Sequence, residues 1–315
     1  MKWKNNNKVV SHVFRILIGC VFITSAILKY LAIDVFDLYI YEHNLFNLAI
    51  TSTLTRLLIA AEFALGIFLI GNIYIRFTYL LTYLFLIGFT VYLILQPFLF
   101  RVSLDNCYCF GDKIVLNHTQ SLLKNVILML MLWLVNVRFY NRKKYEMPVC
   151  IIVSLVSVSS FMMVNAPDYL YTKMFHSEVR INQDLYAKTL QKTDKFESFN
   201  DGRHLICMYS HKCKYCKNAS IKIDKLRKRN NISVERIKCI FWEKADSTGI
   251  NDFFIKNNID RLEYTQIPVL DFLNITHGQM PVILFSDNGR IIKSVNYAGI
   301  TEKELVEFLN GKEID

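Results

Sequence analysis

The stretch Leu205-Ile206-Cys207-Met208-Tyr209, with Cys213-Lys214-Tyr215-Cys216 shortly after it, decides the fold of the C-terminal part of this chain. The first segment is an apolar run typical of a buried strand, and residues 219–226 carry a helical pattern. Two cysteines at this spacing, in a strand-to-helix turn, can form and break a disulfide with little backbone movement. Because a helix N-terminus stabilises a thiolate, Cys213 is predicted to be the attacking thiol and Cys216 the resolving one.

The side chains near this pair suggest which groups take part in the chemistry. Three basic residues next to Cys213 are expected to favour its thiolate: His211, Lys212 and Lys214. Three further lysines are interpreted as solvated surface charges: Lys217, Lys222 and Lys225. Cys207 and Cys239 fall in predicted core strands, so we expect both to be buried and inert. No second cysteine pair at ligand spacing follows, which argues against zinc at Cys213 and Cys216.

Strand and helix signals alternate through residues 201–315. Strands are predicted at 204–209, 234–241, 281–285 and 291–295, and helices at 219–229, 251–258 and 301–309. Residues 286–289 (Ser-Asp-Asn-Gly) predict a turn between the last two strands, and residues 301–304 (Thr-Glu-Lys-Glu) predict a capped helix start. The resulting order is β-α-β-α-β-β-α.

This order, with Cys-x-x-Cys at the end of the first strand, resembles the thioredoxin fold in its TlpA-like periplasmic form. The resemblance implies that Pro281 is the family's cis proline, which lies beside the dithiol and presents the preceding backbone to a substrate chain. Pro268 competes for this role, but Pro281 directly precedes a strand and a turn. The chain departs from the usual pattern because no Trp precedes Cys213. The long stretch between Cys216 and Pro281 also predicts an inserted, helix-rich segment.

The first half of the chain reads as a membrane protein. Five apolar runs approach or reach the roughly 20 residues needed to cross a bilayer, at residues 13–33, 57–75, 77–98, 122–137 and 149–170, the last with its true span nearer 148–164. Lys124 near the start of the fourth run is expected to reach the membrane interface. The lipid bilayer is therefore a predicted partner. The first run is not interpreted as a cleavable signal peptide, because more spans follow it.

Charge predicts the orientation of these spans. The net charge of +10 falls mostly in the first 165 residues, so nucleic acid is not needed to explain it. Basic residues cluster before the first span, between the second and third, and between the fourth and fifth: Lys2, Lys4, Lys8, Arg76, Arg138, Arg142, Lys143 and Lys144. Those segments are predicted to face the cytoplasm. Residues 34–42, the loop at residues 101–120 and, after five crossings, the C-terminal domain then face the oxidising side.

The outward loop contains a second cysteine pair, Cys107 and Cys109, in the string Asn-Cys-Tyr-Cys-Phe-Gly-Asp at residues 106–112. In an extended strand, the sulfurs of two cysteines separated by one residue are too distant to bond. A disulfide therefore needs a turn, which Gly111 permits. Such a disulfide is expected to be easily reduced. A metal site with His118 as a further ligand and a pair of ordinary loop thiols stay open as alternatives, although exposed thiols on an oxidising face tend to pair.

The four spans together with this string resemble the methylamine utilisation protein MauE family, a branch of the DoxX-like membrane proteins. The resemblance covers about residues 10–140 and also includes two segments within the first two spans, Ser25-Ala26-Ile27-Leu28-Lys29 and residues 56–62 (Arg-Leu-Leu-Ile-Ala-Ala-Glu). It implies a four-helix membrane redox module associated with periplasmic disulfide formation. Nothing in this chain points to methylamine as a substrate.

Ionisable residues within the apolar runs suggest a possible intramembrane site. Glu62 is interpreted either as a site for a proton or a small redox partner, or as a structural carboxyl paired with Lys29 or Arg56. Cys20 and Cys150 also lie in apolar spans and are expected to be small buried hydrophobes.

The sequence therefore predicts an α-helical membrane bundle, a four-helix MauE/DoxX-like core plus a fifth spanning helix, followed by an α/β thioredoxin-like domain. The predicted parts are residues 1–145, a fifth helix and linker at 146–200, and the thioredoxin-like domain at 201–315. We expect a multi-pass protein of the bacterial inner membrane with a cytoplasmic N-terminus and a periplasmic thioredoxin-like domain.

The predicted function is a membrane-bound thiol–disulfide oxidoreductase. It would pass electrons between the Cys107/Cys109 and Cys213/Cys216 pairs and act on exported thiol-containing proteins. No quinone motif is visible, and no cofactor is predicted with certainty. A membrane quinone is the expected far electron partner, by analogy with vitamin K epoxide reductase fusions. The alternative function is copper delivery or protein assembly, with the thioredoxin-like domain keeping ligand thiols reduced. In a further alternative the membrane half is mainly an anchor.

Overall fold

The computed structural model describes residues 2–99, 107–135, 145–175, 177–242 and 247–312. The chain divides into two compact units, Met1–Ala166 and Pro167–Asp315. The predicted cytoplasmic cluster at 138–144, and Asn106 of the loop string, lie outside the described residues.

The first unit consists of helices and one short strand. Its elements are α1 (Lys2–Leu31), α2 (Ile33–Tyr41), α3 (Leu48–Gly71), α4 (Ile75–Leu99), β1 (Cys109–Asp112), α5 (His118–Trp133) and α6 (Glu146–Val164). Asparagine side chains begin two of the helices: Asn47 accepts a hydrogen bond from the Ile50 amide, and Asn117 forms a capping box with Gln120. The predicted bundle is therefore present, with α2 as an additional helix where an outward loop was expected.

Four of the described helices are long and apolar enough to cross a membrane, at Val9–Leu31, Leu48–Gly71, Ile75–Phe98 and Glu146–Val164. These correspond to the first, second, third and fifth predicted spans, and the second begins nine residues earlier than predicted. The fourth predicted span, residues 122–137, overlaps α5, which begins four residues earlier and has 16 residues. A helix of that length is about 24 Å long, shorter than the roughly 30 Å hydrocarbon core. Length alone therefore does not qualify α5 as a span.

Helices α1 and α3 cross closely at a pair of glycines. A Cβ atom built on Gly19 would lie 2.9 Å from the Gly66 carbonyl oxygen, and a Cβ on Gly66 would lie 2.9 Å from the Gly19 carbonyl oxygen. Small residues at such a crossing let two helix backbones approach within contact distance. This close approach brings the buried faces of α1 and α3 together, including the faces that carry Lys29 and Glu62.

The second unit is an α/β domain. Its elements are α7 (Asp168–Met174), α8 (Gln183–Leu190), α9 (Phe196–Asn200), β2 (Arg203–Tyr209), α10 (Lys214–Arg229), β3 (Ile237–Trp242), α11 (Ser247–Lys256), β4 (Glu263–Ile267), α12 (Val269–Thr276), β5 (Val282–Asp287), β6 (Arg290–Val295) and α13 (Glu302–Leu309). Helices α7 to α9 belong to this unit, so the stretch predicted as a linker contributes structure to the C-terminal domain.

The sheet has the strand order β4-β3-β2-β5-β6. Strand β2 is central and pairs in parallel with β3 and antiparallel with β5. Residues 204–209 of β2 are all buried, as expected for a strand covered on both faces. The predicted order of elements is present, with β4 and α12 in the segment where an inserted helical stretch was expected.

One predicted surface charge is buried in this unit. Lys222 on α10 is only 2% exposed, and its Nζ atom lies 2.7 Å from Asp168 Oδ2 at the start of α7. It also lies 5.0 Å from the centroid of the Tyr297 ring. The prediction of a solvated Lys222 is therefore wrong, because α7 folds back to supply a carboxylate that the sequence pattern does not reveal.

Candidate redox sites

The Cys213/Cys216 pair lies at the carboxyl end of the central strand β2. Cys213 is the N-cap residue of α10, and its sulfur accepts a hydrogen bond from the Cys216 amide at 3.3 Å. Cys213 is half-buried, whereas Cys216 is fully buried. The Cys213 sulfur therefore faces an amide donor at the start of a 16-residue helix.

The two thiols of this pair differ in environment. Burial raises the pKa of the Cys216 thiol, and the hydrogen bond with Cys213 raises it further. Cys216 therefore stays a thiol near neutral pH, and Cys213 is the sulfur that a second molecule can reach. Attack by Cys213 and resolution by Cys216 stay predictions.

Pro281 lies at the same end of the sheet as the Cys213/Cys216 pair. The Met280–Pro281 peptide bond is cis, as predicted. Val282, the residue after Pro281, pairs with Met208 in the antiparallel β2–β5 ladder. Pro281 therefore lies opposite the carboxyl end of β2. Pro268 instead precedes α12 as its N-cap residue.

Two further cysteines lie in the sheet beneath this site. Cys207 and Cys239 are directly paired in the β2–β3 ladder, and both are fully buried, as predicted. Burial raises the pKa of the Cys239 thiol well above its usual value, and contact with Cys207 adds to this. Both sulfurs are therefore shielded from solvent.

A groove of about 410 Å³ adjoins the Cys213 loop. His211 and Lys212 line its near side, and α11 provides Asp252 and Lys256 on the other. The groove therefore lies next to the loop that leads into Cys213.

The second cysteine pair is closed in the structure. Cys107 and Cys109 form a disulfide with their Cα atoms 5.3 Å apart. The predicted turn is present: Tyr108 and Gly111 have positive φ angles, 52° and 68°. A Cβ atom on Gly111 would lie 2.4 Å from the Leu28 carbonyl oxygen, so only glycine lets this loop rest on α1.

The disulfide is buried against two helices. Cys107 is 4% exposed and Cys109 is 1% exposed. The Ser25 hydroxyl of α1 donates a hydrogen bond to the Cys109 carbonyl oxygen at 2.7 Å, and Ser121 Oγ of α5 lies 2.8 Å from Cys107 Sγ. The Cys109 amide also donates to Cys107 Sγ at 3.2 Å. The loop is thus fixed at both cysteines.

The predicted intramembrane residues form two separate ion pairs. Lys29 Nζ lies 2.7 Å from Glu62 Oε2, and both side chains are buried. Arg56 pairs instead with Asp37 of α2 at 2.8 Å and donates to the Asn165 carbonyl oxygen at 2.7 Å. Arg56 therefore does not belong to the Glu62 site. The prediction missed this pairing because α2 was interpreted as a loop.

Three other membrane-half predictions need correction. Cys20 is exposed and Cys150 is half-exposed on the outer faces of their helices, so neither is a buried core residue. Lys124 does not reach outward as expected. Its Nζ atom lies 5.1 Å from the Phe110 ring centroid and 5.7 Å from that of Phe89, so it packs inside the unit.

The structure also bears on the metal alternative at the loop. Within the part of the chain that the structure describes, no group of three or more His, Cys, Asp or Glu side chains is placed to hold a metal ion. His118 is the first residue of α5, and the sulfurs of Cys107 and Cys109 are bonded to each other.

Comparisons with known proteins agree with this architecture. Residues 7–137 match the family model of the methylamine utilisation protein MauE. Protein TlpB of Flavobacterium psychrophilum is 24% identical over an alignment of 351 residues that covers 96% of this chain and 94% of TlpB. With the two cysteine pairs and the apolar helices, these matches support a membrane-associated, thiol-related redox function. Residues 7–137 are therefore a MauE-type membrane domain, joined in this chain to a C-terminal thioredoxin-like domain.

Proposed function

We propose that the protein is a membrane-bound thiol–disulfide oxidoreductase that passes electrons between the Cys107/Cys109 pair and the Cys213/Cys216 pair. The observation that carries the proposal is the asymmetry at the second pair. Cys213 is accessible and accepts a helix N-terminal amide, while Cys216 is buried and protonated. This difference between an accessible and a buried cysteine suits exchange with a disulfide on another molecule.

In the reducing direction, the Cys213 thiolate attacks one sulfur of a substrate disulfide. The substrate S–S bond breaks, its other sulfur leaves as a thiolate, and a mixed disulfide with Cys213 forms. Cys216 then loses its proton and attacks Cys213 Sγ. The substrate leaves as a dithiol after taking up two protons, and Cys213 and Cys216 remain as a disulfide. The oxidising direction is the reverse of these steps.

The internal relay needs a movement at the membrane loop. Cys107 and Cys109 are almost completely buried, so a protein thiol can reach one of their sulfurs only after β1 moves away from α1 or α5. We propose that this opening accompanies docking of the reduced Cys213/Cys216 site. The Cys107/Cys109 dithiol would then be reoxidised by a membrane electron acceptor, for which a quinone stays our prediction.

The proposed substrates are thiol-containing exported proteins. The groove beside Cys213 supports this class of partner, because His211 and Lys212 line it immediately before the reactive sulfur. Its lining includes Lys212, Lys217 and Lys256 against the single carboxylate of Asp252, which favours an acidic segment near the substrate cysteine.

We also propose that both cysteine pairs face the periplasm of a bacterium and that the N-terminus is cytoplasmic. This orientation requires α5 to cross the inner membrane despite its 16 described helical residues. Cysteines introduced at the exposed positions Lys113 and Lys217 should then react with a membrane-impermeant maleimide on intact cells, and a cysteine at Arg76 should not. Labelling of Lys113→Cys but not Lys217→Cys would mean an even number of crossings and would refute the shared face.

Disulfide trapping tests the relay directly. In the full chain, Cys216→Ser removes the resolving thiol, so mixed disulfides at Cys213 accumulate. Acid quenching, alkylation and mass spectrometry should find Cys213 linked to Cys107 or Cys109 and to exported proteins. Links to exported proteins alone would refute the relay and leave the thioredoxin-like domain as an independent redox enzyme. Cys213→Ser is the matched control and should trap none of these species.

A further inference from the structure

A cluster of polar and charged side chains lies next to the Cys107–Cys109 disulfide, inside the membrane unit. Together with apolar side chains this cluster lines a small, partly open cavity of about 20 Å³, and it consists of Ser25, Lys29, Glu62, Lys124 and Asn125. A cavity of this size has room for about one water molecule. Two ammonium groups and one carboxylate give the cluster one net positive charge. Charge inside a membrane protein is costly and points to a function.

Helix α5 connects this cavity to the disulfide. Ser121, whose hydroxyl oxygen lies 2.8 Å from Cys107 Sγ, precedes Lys124 by three residues and Asn125 by four. Residues at these spacings lie on the same face of a helix, one turn apart. Lys124 also contacts the ring of Phe110, the residue directly after Cys109. The disulfide, Ser121 and the cavity are therefore contiguous.

The cavity also holds a buried polar atom that lacks a partner. Asn125 is fully buried, and its Nδ2 atom donates to Thr90 Oγ1 at 3.2 Å. Its Oδ1 atom has no hydrogen-bond partner among the residues that the structure describes. An acceptor in this position is suited to hold a water molecule between Lys124 and Ser121.

The two sulfurs of the disulfide differ in their hydrogen bonds. Cys107 Sγ accepts from the Cys109 amide and lies 2.8 Å from the Ser121 hydroxyl oxygen, whose proton is shared with the Asn117 carbonyl oxygen at 3.0 Å. Donors at one sulfur stabilise negative charge there, so Cys107 is the better leaving group and Cys109 is the sulfur to be attacked. Because Cys107 is buried, a thiolate on it is unfavourable and needs a proton.

We propose that Lys124 supplies, through Ser121, the proton that Cys107 takes up when the disulfide opens. A thiolate attacks Cys109, the S–S bond breaks, and its electron pair goes to Cys107. Ser121 gives its hydroxyl proton to Cys107 and takes one from the Lys124 ammonium through a water held by Asn125. When the pair is reoxidised, Cys107 returns the proton and Lys124 is an ammonium again.

The other ionisable groups around the site have different roles. Lys29 and Glu62 hold each other in an ion pair and keep the cavity's charge fixed. Helix α4 contributes phenylalanine and leucine to the cavity. Tyr92 of α4 packs against the apolar cluster of Leu93, Cys107 and Cys109, and its hydroxyl is hydrogen-bonded to His43 and Tyr39. Lys124 is thus the cation of the cavity that has no carboxylate at ion-pair distance among the described residues.

The inference rests on the proposed redox role of the Cys107/Cys109 pair, so its test removes the other pair. The full chain with Cys213→Ser and Cys216→Ser, in lipid nanodiscs, is mixed with dithiothreitol over a range of pH. Acid quenching and alkylation give the rate at which the Cys107–Cys109 disulfide is reduced, and this rate is divided by the concentration of dithiothreitol thiolate. The internal relay cannot affect the result, because neither of its soluble-domain thiols is present.

We expect Ser121→Ala to slow this reduction by about tenfold or more at neutral pH, in the range of general acid catalysis. Ser157→Ala, a buried serine of α6 that does not line the cavity, is the control and should match the parent chain. In the parent the normalised rate should fall as rising pH removes the Lys124 proton, and Lys124→Met should be slow with a flat profile.

Lys124→Arg separates proton donation from simple charge. Arginine keeps the positive charge but does not give up its proton near neutral pH. We expect Lys124→Arg to be as slow as Lys124→Met. A normal rate in Lys124→Arg, or equal rates in Ser121→Ala and Ser157→Ala, would overturn the proposal.

Discussion

The ion pair between Lys222 and Asp168 should be a main determinant of the stability of the thioredoxin-like domain. Lys222 is 2% exposed, and among the residues that the structure describes its ammonium contacts, besides Asp168, the Tyr297 carbonyl oxygen at 3.5 Å and the Tyr297 ring. Asp168→Asn leaves this ammonium buried beside a neutral amide. Breaking a buried pair from one side costs about 3–5 kcal/mol. The Asp168 side chain is 27% exposed, so we expect about 2–3 kcal/mol.

Alkylation of the two buried cysteines of the sheet measures this loss of stability in the full chain, so the domain does not have to be isolated. Cys207 and Cys239 are fully buried, so a small alkylating reagent reaches them only when the domain unfolds. A loss of 2–3 kcal/mol raises the unfolded population, and with it the alkylation rate, roughly 30-fold to 150-fold. The rates are measured by mass spectrometry on the full chain in nanodiscs.

Two further variants make the reasoning testable. Asp252→Asn removes one partner of an exposed i,i+4 pair with Lys256, which contributes about 0.3–0.5 kcal/mol, so its alkylation rate should change by only about twofold. Lys222→Met removes the buried charge itself and leaves a partly exposed carboxylate, which water can solvate. We expect a smaller effect than for Asp168→Asn. Equal effects of Asp168→Asn and Asp252→Asn, or a larger effect of Lys222→Met, would refute the argument.

Two other predictions concern the cysteine pairs. At near-neutral pH iodoacetamide should modify Cys213 and leave Cys216 unmodified until the domain is denatured. Burial raises the pKa of the Cys216 thiol, so this thiol stays protonated as pH rises through neutrality. Equal labelling of both cysteines in the folded, reduced chain would contradict the assigned roles. Gly111→Ala should weaken the packing of the membrane loop against α1 by about 2–4 kcal/mol, because the new Cβ atom clashes with the Leu28 carbonyl oxygen and the φ angle is positive. Dithiothreitol should then reduce the Cys107–Cys109 disulfide faster, whereas Gly278→Ala, also at positive φ but with no atom within 4 Å, should leave that rate unchanged.

Local patterns in the sequence were sufficient to predict the thioredoxin-like domain. A buried apolar strand, a Cys-x-x-Cys turn and a helix lie within 25 residues, so short-range signals define the site. Strand β4 was missed because its sequence, Glu263-Tyr264-Thr265-Gln266-Ile267, is mostly polar. It is an edge strand that pairs with β3 alone, and such strands carry a weaker apolar pattern.

Long-range pairings account for most of the errors. The partner of Lys222 is 54 positions away in the chain, and the partner of Arg56 lies on a short helix whose acidic residues suggested a loop. Ser25, Ser121 and Asn125 were not singled out, because serine and asparagine within an apolar helix usually bond to their own backbone. Their position next to the disulfide depends on how α1 and α5 pack around β1.

The burial of the Cys107–Cys109 disulfide has a consequence for selectivity. A redox centre that small thiols and other folding catalysts can reach can exchange electrons with any of them. Helices α1 and α5 and the loop that contains Gly111 enclose the disulfide, so such side reactions are expected to be slow whatever their driving force. If the protein works by thiol exchange, its partners would be the proteins whose surface can open this loop. Differences in reduction potential would decide only the direction in which electrons flow.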